Sequence, residues 1–297
     1  MKVGSSIMEA KYFDDAECIE NFAAAGFDCM DFALRKIFSD AEEERKYYTS
    51  MKELARKKNV EISQTHAPFL VDALEEEFLS DEFYEKQVTA IRQTAILGVK
   101  YIVCHPYVPF SEEIIKKEYD YDTMMEHNKQ VNLKFFERLK PHLKKYGVVM
   151  AIENLFSYDR QRKKMVKAAC STTEEWKYYI DTLGRDCFCA CFDIGHANLV
   201  EGESHVEIIE KMADRIQVIH AHDNHGLLTC EYGDMDFHLP PFTGTCPWRD
   251  IMRALKKVGF DGTFSFECGG NSVKECSVDY GRYLVSVGRQ LLRYAQE

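Results

Sequence analysis

A short apolar or β-branched run followed by a charge-rich amphipathic segment recurs eight times along these 297 residues, and no linker or low-complexity stretch breaks the series. The runs lie in "KVGSSIM", "AAAGFDCMDFAL", "VEISQTHAPF", "AILGVKYIVCHP", "KKYGVVMAIENL", "CFCACFDIGH", "RIQVIHAHDN" and "KKVGFDGTFSFECG". Strand-length apolar runs alternating with helix-length amphipathic ones specify an α/β chain with a parallel sheet. Gly26, Gly98, Gly147 and Gly259 stand where a helix ends and a strand begins, the position of a left-handed C-terminal cap. Eight alternations in one uninterrupted chain predict a single (β/α)8 barrel over residues 1–297, in preference to an open doubly wound sheet.

The placement of polar residues decides between closed and open. From the third run onward, every strand ends on a potential metal ligand: His66, His105, Glu153, Asp193 with His196, His220 with His222, and Glu267. In a barrel these ends converge on the C-terminal face, where an active site forms, whereas an open sheet would spread them along an edge. Side-chain alternation gives a second pattern. Counting back by twos from Asp193, Glu267 and Glu153 meets the small residues Cys191, Cys189, Cys187, Ser265, Thr263, Ala151 and Val149, predicted to line the interior. The alternate set, Phe192, Phe188, Phe266, Phe264, Ile152 and Met150, is larger and is predicted to face the helices. The 11 cysteines sit largely inside such runs, which reads as buried reduced thiols filling the core and not as disulfides.

Glu153, Asp193, His220 and Glu267 form a core set for a divalent ion, zinc or manganese by the mixed carboxylate and imidazole donors, with magnesium or cobalt also accommodated. The loop "GDMDFHLPPFTGTCPW" (233–248) adds Asp236 and His238. Together with His196 these bind a second or third ion, or else form a lid whose histidine faces substrate. The basic run "DRQRKKMVK" (159–167) either reaches an anionic substrate group or is a solvated face.

A formal net charge of −11 argues against nucleic acid as a partner, because phosphate binding rests on a basic footprint. The first residues lack an apolar signal core, and no apolar run approaches the roughly 20 residues of a membrane span, so the expected location is cytoplasmic. The amphipathic segment 277–294 is available for pairing of two copies as a homodimer.

From "THAPF" to "FECGG" these residues resemble the xylose-isomerase-like TIM-barrel superfamily, which holds sugar isomerases and epimerases together with abasic-site nucleases of the endonuclease IV type (AP endonuclease family 2). The resemblance implies that Glu153, Asp193, His220 and Glu267 hold one metal, His220 being preferred to His222 because it precedes the acidic Asp223 by three. The nuclease branch adds ligands that match His66, His105, His196, Asp236 and His238, for up to three zincs. "HDNHG" and "HLPPFTGT" look like the sugar-active branch, although the ketose 3-epimerases carry an arginine where "HDNHG" stands.

The resulting expectation is a metal-dependent isomerase or epimerase of a small sugar, sugar phosphate or keto-polyol. In it Glu153 and Glu267 exchange protons at a metal-stabilised enediolate, and His196 and His222 contact substrate hydroxyls. The alternatives are a trinuclear-zinc phosphodiesterase acting on abasic DNA and a non-catalytic sugar-binding barrel with a structural metal. The acidic charge disfavours the nuclease, as do "MEAKYFDD" and "ALRKIFSDAEEE", loops without an evident set of basic and intercalating residues.

Overall fold

The computed structural model describes residues 1–6, 14–70, 73–108, 121–159, 163–227, 236–269 and 277–296. Ten strands occur among them: β1 (Lys2–Ser6), β2 (Cys29–Ala33), β3 (Glu61–His66), β4 (Tyr101–Cys104), β5 (Val149–Glu153), β6 (Phe156–Asp159), β7 (Lys164–Lys167), β8 (Phe188–Asp193), β9 (Ile216–Ala221) and β10 (Thr263–Phe266). Eight of them form a closed parallel barrel in the order β1-β10-β9-β8-β5-β4-β3-β2. The expected (β/α)8 fold is therefore the observed one. The surrounding helices are α1 (Asp15–Ala25), α2 (Ala41–Lys58), α3 (Glu75–Phe78), α4 (Asp81–Leu97), α5 (Tyr121–Tyr146), α6 (Thr173–Leu183), α7 (Ile194–Asn198), α8 (His205–Met212), α9 (Trp248–Lys257) and α10 (Ser277–Tyr294).

Local chemistry sets these boundaries. Asp14, Asp40, Ser80, Thr172 and Ser204 accept hydrogen bonds from amides of the first turns of α1, α2, α4, α6 and α8, satisfying donors that the helix leaves unpaired. At the other ends, the four glycines predicted as caps all take positive φ, from 67° to 93°. Each turns the chain straight into a strand, so the strand register follows from the helix ends.

Two apolar layers result. Val103, Ala151, Cys189, Cys191 and Val218 fill the barrel interior. Phe188, Phe192, Phe264, Phe266, Met150 and Ile152 belong to the outer layer packed beneath the helices. Cys187 departs from the expected alternation: it precedes β8 and packs in the outer layer, because the pleat that would turn it inward begins one residue later. The nine described cysteines are free and buried. Burial pushes the Cys29 thiol up to about 11 and the Cys189 thiol higher still, so both are neutral core fillers at physiological pH.

One segment read as a loop is partly ordered structure. β6 and β7 pair as an antiparallel hairpin directly after the β5 end, with Met165 buried against Leu199. The basic run 159–167 thus contributes a strand, while its residues 160–162 lie outside the described residues. Among the described residues, no helix is long and apolar enough to cross a membrane.

Candidate metal centre

The stretch "CFDIGHANL" brings β8 to its end on Asp193 and turns at once into α7. The Asp193 carboxylate caps that short helix, with Oδ1 accepting from the His196 amide at 2.7 Å. Gly195 follows because the His222 ring lies flat against it: a Cβ there would stand 2.0–2.5 Å from three ring atoms. Gly195→Ala is therefore expected to force the His222 ring aside and to lower stability by about 1–3 kcal/mol, the usual range for overpacking a close-packed interior. Thermal unfolding of the variant, read together with its bound metal, checks this.

At the floor of the barrel mouth, His220 stands between carboxylates carried by three different strands or their ends, Glu153, Glu267 and Asp31. Its Nδ1 is 3.2 Å from Glu153 Oε1 and 3.4 Å from Glu267 Oε1, while Nε2 is 3.0 Å from Asp31 Oδ2. One donor atom from each of Glu153, Asp193, His220 and Glu267 lies within 4.8 Å of the others. Burial would raise the Glu153 carboxyl, but the neighbouring His220 and His105 rings outweigh it and hold the group well below the usual carboxylate range. Asp193 is likewise lowered, His196 and His222 overcoming its burial.

The remaining histidines surround this quartet. His105 Nε2 is 3.1 Å and His66 Nε2 3.6 Å from Glu153 Oε2, forming a second donor group with it. His196, His222, Asp236 and His238 form another. His66, His196 and His238 each place Nδ1 on a backbone carbonyl, of Ala67 (2.8 Å), Asn154 (2.9 Å) and Glu267 (2.6 Å). A ring that donates Nδ1–H in this way turns its Nε2 lone pair toward the site, the usual arrangement of a metal-ligating histidine. His105 is kept neutral by burial, which lowers it despite Glu153.

The donors have no complete set of partners without an ion. Glu153 Oε2 and Asp193 Oδ2 are buried with no hydrogen bond. His105 approaches Glu153 Oε2 closely but off the hydrogen-bonding direction. Buried, ionised oxygens left this way are costly unless something positive sits on them. The chemistry and spacing of the donors fit a divalent cation.

Above the donors opens a cavity of about 900 Å³ whose lining includes His66, His105, Glu153, His196, Asp236, His238 and Glu267. His222 does not line it. Expected at the substrate, this ring is fully buried, stacked on His238 at 4.1 Å and 3.0 Å from Asp193 Oδ1, because it lies under His238 and against Gly195. Among the described side chains of the basic run, Lys163 and Lys167 are also absent from the lining.

Residues 19–280 match the family described as the xylose isomerase-like TIM barrel. The chain belongs to that family. Among curated relatives, the uncharacterised protein y4fM of Sinorhizobium fredii is 26% identical over 132 residues, 44% of this chain and 37% of its own length. The chain thus matches well under half of that relative. Among solved structures, a D-tagatose 3-epimerase-like protein superposes with TM-score 0.71 at 24% identity, covering 98% of this chain and 99% of that one. The IolI protein with a bound zinc atom superposes with TM-score 0.75 at 17% identity, covering 98% of both chains.

Within this xylose isomerase-like barrel, sequence reasoning overlooked the residues that hold the donors in place. Asp31 is buried on β2, accepts from His220 Nε2–H across the barrel and from Gln64 Nε2 at 2.9 Å. Its signal was an acid inside the apolar run "CMDF", on a strand whose end carries no histidine or acid. Asn154 exchanges two hydrogen bonds with the Asp193 backbone, at 2.8 and 3.0 Å, tying the β5 and β8 ends together. Asp223 anchors the 236–248 loop by accepting from Trp248 Nε1 and the Cys246 amide.

Proposed function

We propose that this protein is a metal-dependent isomerase or epimerase of a sugar or sugar derivative, with Glu153 and Glu267 as its proton-transferring pair. The observation that carries this reading is the position of both carboxylates against one ring nitrogen of His220, on the floor of one open cavity. Glu153, Asp193, His220 and Glu267 would hold the ion, zinc or manganese. When bound, such an ion supplies Lewis-acid polarisation of a sugar carbonyl and its neighbouring hydroxyl, which acidifies the adjacent C–H bond. The chain's own residues do the rest. Glu153, ionised at neutral pH, accepts a proton from carbon, and Glu267 delivers one, each retaining contact with His220. Asp31 fixes the His220 ring so that Nδ1 faces both carboxylates. The D-tagatose 3-epimerase-like neighbour supports the substrate class. The test is incubation of the metal-loaded protein with a panel of ketoses, aldoses and oxo-glycosides in D2O. Deuterium entering a C–H position beside the carbonyl supports the proposal, and no exchange with any sugar counts against it.

Two further outcomes are expected. Asp31→Asn is expected to weaken metal binding by about 10–100-fold, because it removes the carboxylate that orients the His220 ring. Competition against a chelator of known affinity measures it. Metal uptake is also expected to depend on pH. Burial alone would lower His238, but Asp236 outweighs it and raises the ring from 6.5 to about 9. In the metal-free protein that ion pair contributes stability that is fully present below pH 6.5 and is lost as pH rises through about 9. A bound ion requires the neutral ring, so zinc binding at the His196, Asp236 and His238 group is expected to release protons at pH 7 and to tighten as pH climbs toward 9. Titration in weak buffer with a pH indicator reads both.

The three donor groups at the barrel mouth, two of which share Glu153, favour one second reading, a trinuclear-zinc phosphodiesterase. Metal content per chain separates the two: about one ion supports the isomerase, and about three zincs direct the assay to abasic duplex DNA.

A further inference from the structure

We infer that the substrate of this site is a sugar joined to a flat apolar group, of the aryl oxo-glycoside class, whose ring ketone supplies the carbonyl that proton transfer at Glu153 and Glu267 needs, and not a free monosaccharide. The inference rests on the sugar isomerase reading and names the substrate within it. The reacting sugar carbon must lie on the donor floor, next to Glu153 and Glu267. From there the cavity runs outward to the loop after β2 and the exposed side of α4, and its volume of about 900 Å³ lies near the top of the 300–1,000 Å³ range of drug-sized ligand sites. The added space is walled by Leu34, Ile37, Pro68 and Phe69.

Two of these are apolar surfaces held out in solvent beside the reactive floor. Phe69 is 48% exposed, yet its ring is fixed by stacking on His105 at 4.3 Å and meeting His66 edge-on at 5.4 Å. Ile37 is 86% exposed, the most exposed large apolar residue among those described. Its loop is anchored: Gln93 Nε2 donates to the Lys36 carbonyl and to the buried Glu44, which also takes a bidentate Arg92. A rigid aromatic face and an anchored aliphatic side chain suit a planar ring, which gains both burial and stacking there.

Other substituents fit less well. A second sugar unit would set part of its hydroxyls against Leu34, Ile37, Pro68 and Phe69 without partners, although Thr89 and Gln93 also line the cavity. An anionic group meets Glu82 and Glu85 at the same rim, where Lys86 is engaged by Glu82 at 2.8 Å, Lys36 lies over the Tyr47 ring and Arg35 already has an interaction of its own.

Calorimetry on the intact protein, with phenyl β-D-glucopyranoside and methyl β-D-glucopyranoside as probes, tests this. The phenyl glycoside is expected to bind about tenfold more tightly, the gain from burying and stacking one aromatic ring. Phe69→Ala is expected to remove most of that preference, and Ile37→Ser, at an exposed position where folding is not at stake, to reduce it. Equal affinities, no binding of either probe at millimolar concentration, or a preference unchanged in both variants overturns the inference. Deuterium exchange into free monosaccharides without an aryl preference overturns it while leaving the isomerase reading intact. An aryl preference without exchange on any sugar supports the apolar subsite and removes the isomerase reading instead.

Discussion

Glu153→Gln is expected to reduce turnover by at least about a thousandfold and to strip the metal centre of its ion, without disrupting the barrel. Glu153 is 1% exposed and four histidines approach its carboxylate: His105 at 3.1 Å, His220 at 3.2 Å, and His66 and His196 at 3.6 Å. The residue belongs both to the quartet and to the donor group with His66 and His105, so no neighbour can replace its charge. Burial would favour its neutral form, but His220 and His105 outweigh burial and keep it ionised. Glutamine has the same volume and fills the same space, so packing is preserved. The amide nitrogen, however, is a donor where a negatively charged acceptor is needed. Both the ion's negative counter-charge and the proton acceptor are lost together. Mass-spectrometric metal content and initial rates by NMR check the two losses, with circular dichroism confirming the fold. If the barrel merely binds sugar around a structural metal, the same substitution lowers metal content and stability, but the wild type shows no turnover to lose.

Much of this architecture was legible because it is written in local periodicities. Alternation by two separated Cys189 and Cys191 from Phe188 and Phe192, and the barrel places the first pair inside and the second beneath the helices. Gly98 marked a helix end because a positive φ of 75° is costly for other residues. What was not legible depends on contacts between distant segments. Asp31 meets His220 from a strand separated from β9 by β1 and β10, so nothing in its spacing announces the pair. His220 and His222 share one side of their strand by alternation, and although sequence reasoning assigned His220 to the donor quartet, nothing local in it turns the His222 ring against Gly195. The β6–β7 hairpin was hidden for another reason. Its strands are four residues each, and the buried Met165 is embedded in lysines that read as a solvated face.

Glu267→Gln is expected to separate proton removal from proton delivery. Glu267 follows β10, and its place is fixed by its backbone: the amide donates to Ala221 at 3.1 Å, and the carbonyl accepts from His238 at 2.6 Å. Neither bond involves the side chain, whose carboxylate is 13% exposed and faces the cavity beside His220. The isosteric change should therefore keep the fold and leave three of the four quartet donors in place. A reaction that inverts a carbon needs one group to take the proton from one face and a second group to return a proton to the other. With glutamine at 267, Glu153 still removes the proton of one epimer and can only give it back to the same face. Epimerisation is expected to fall by about a thousandfold, within the range typical for loss of a general acid or base, while solvent deuterium continues to enter one epimer alone. NMR of each epimer incubated separately in D2O reads this directly. Exchange lost from both epimers would assign Glu267 to ion binding alone, and undiminished epimerisation would place the second proton donor on a different residue of the cavity.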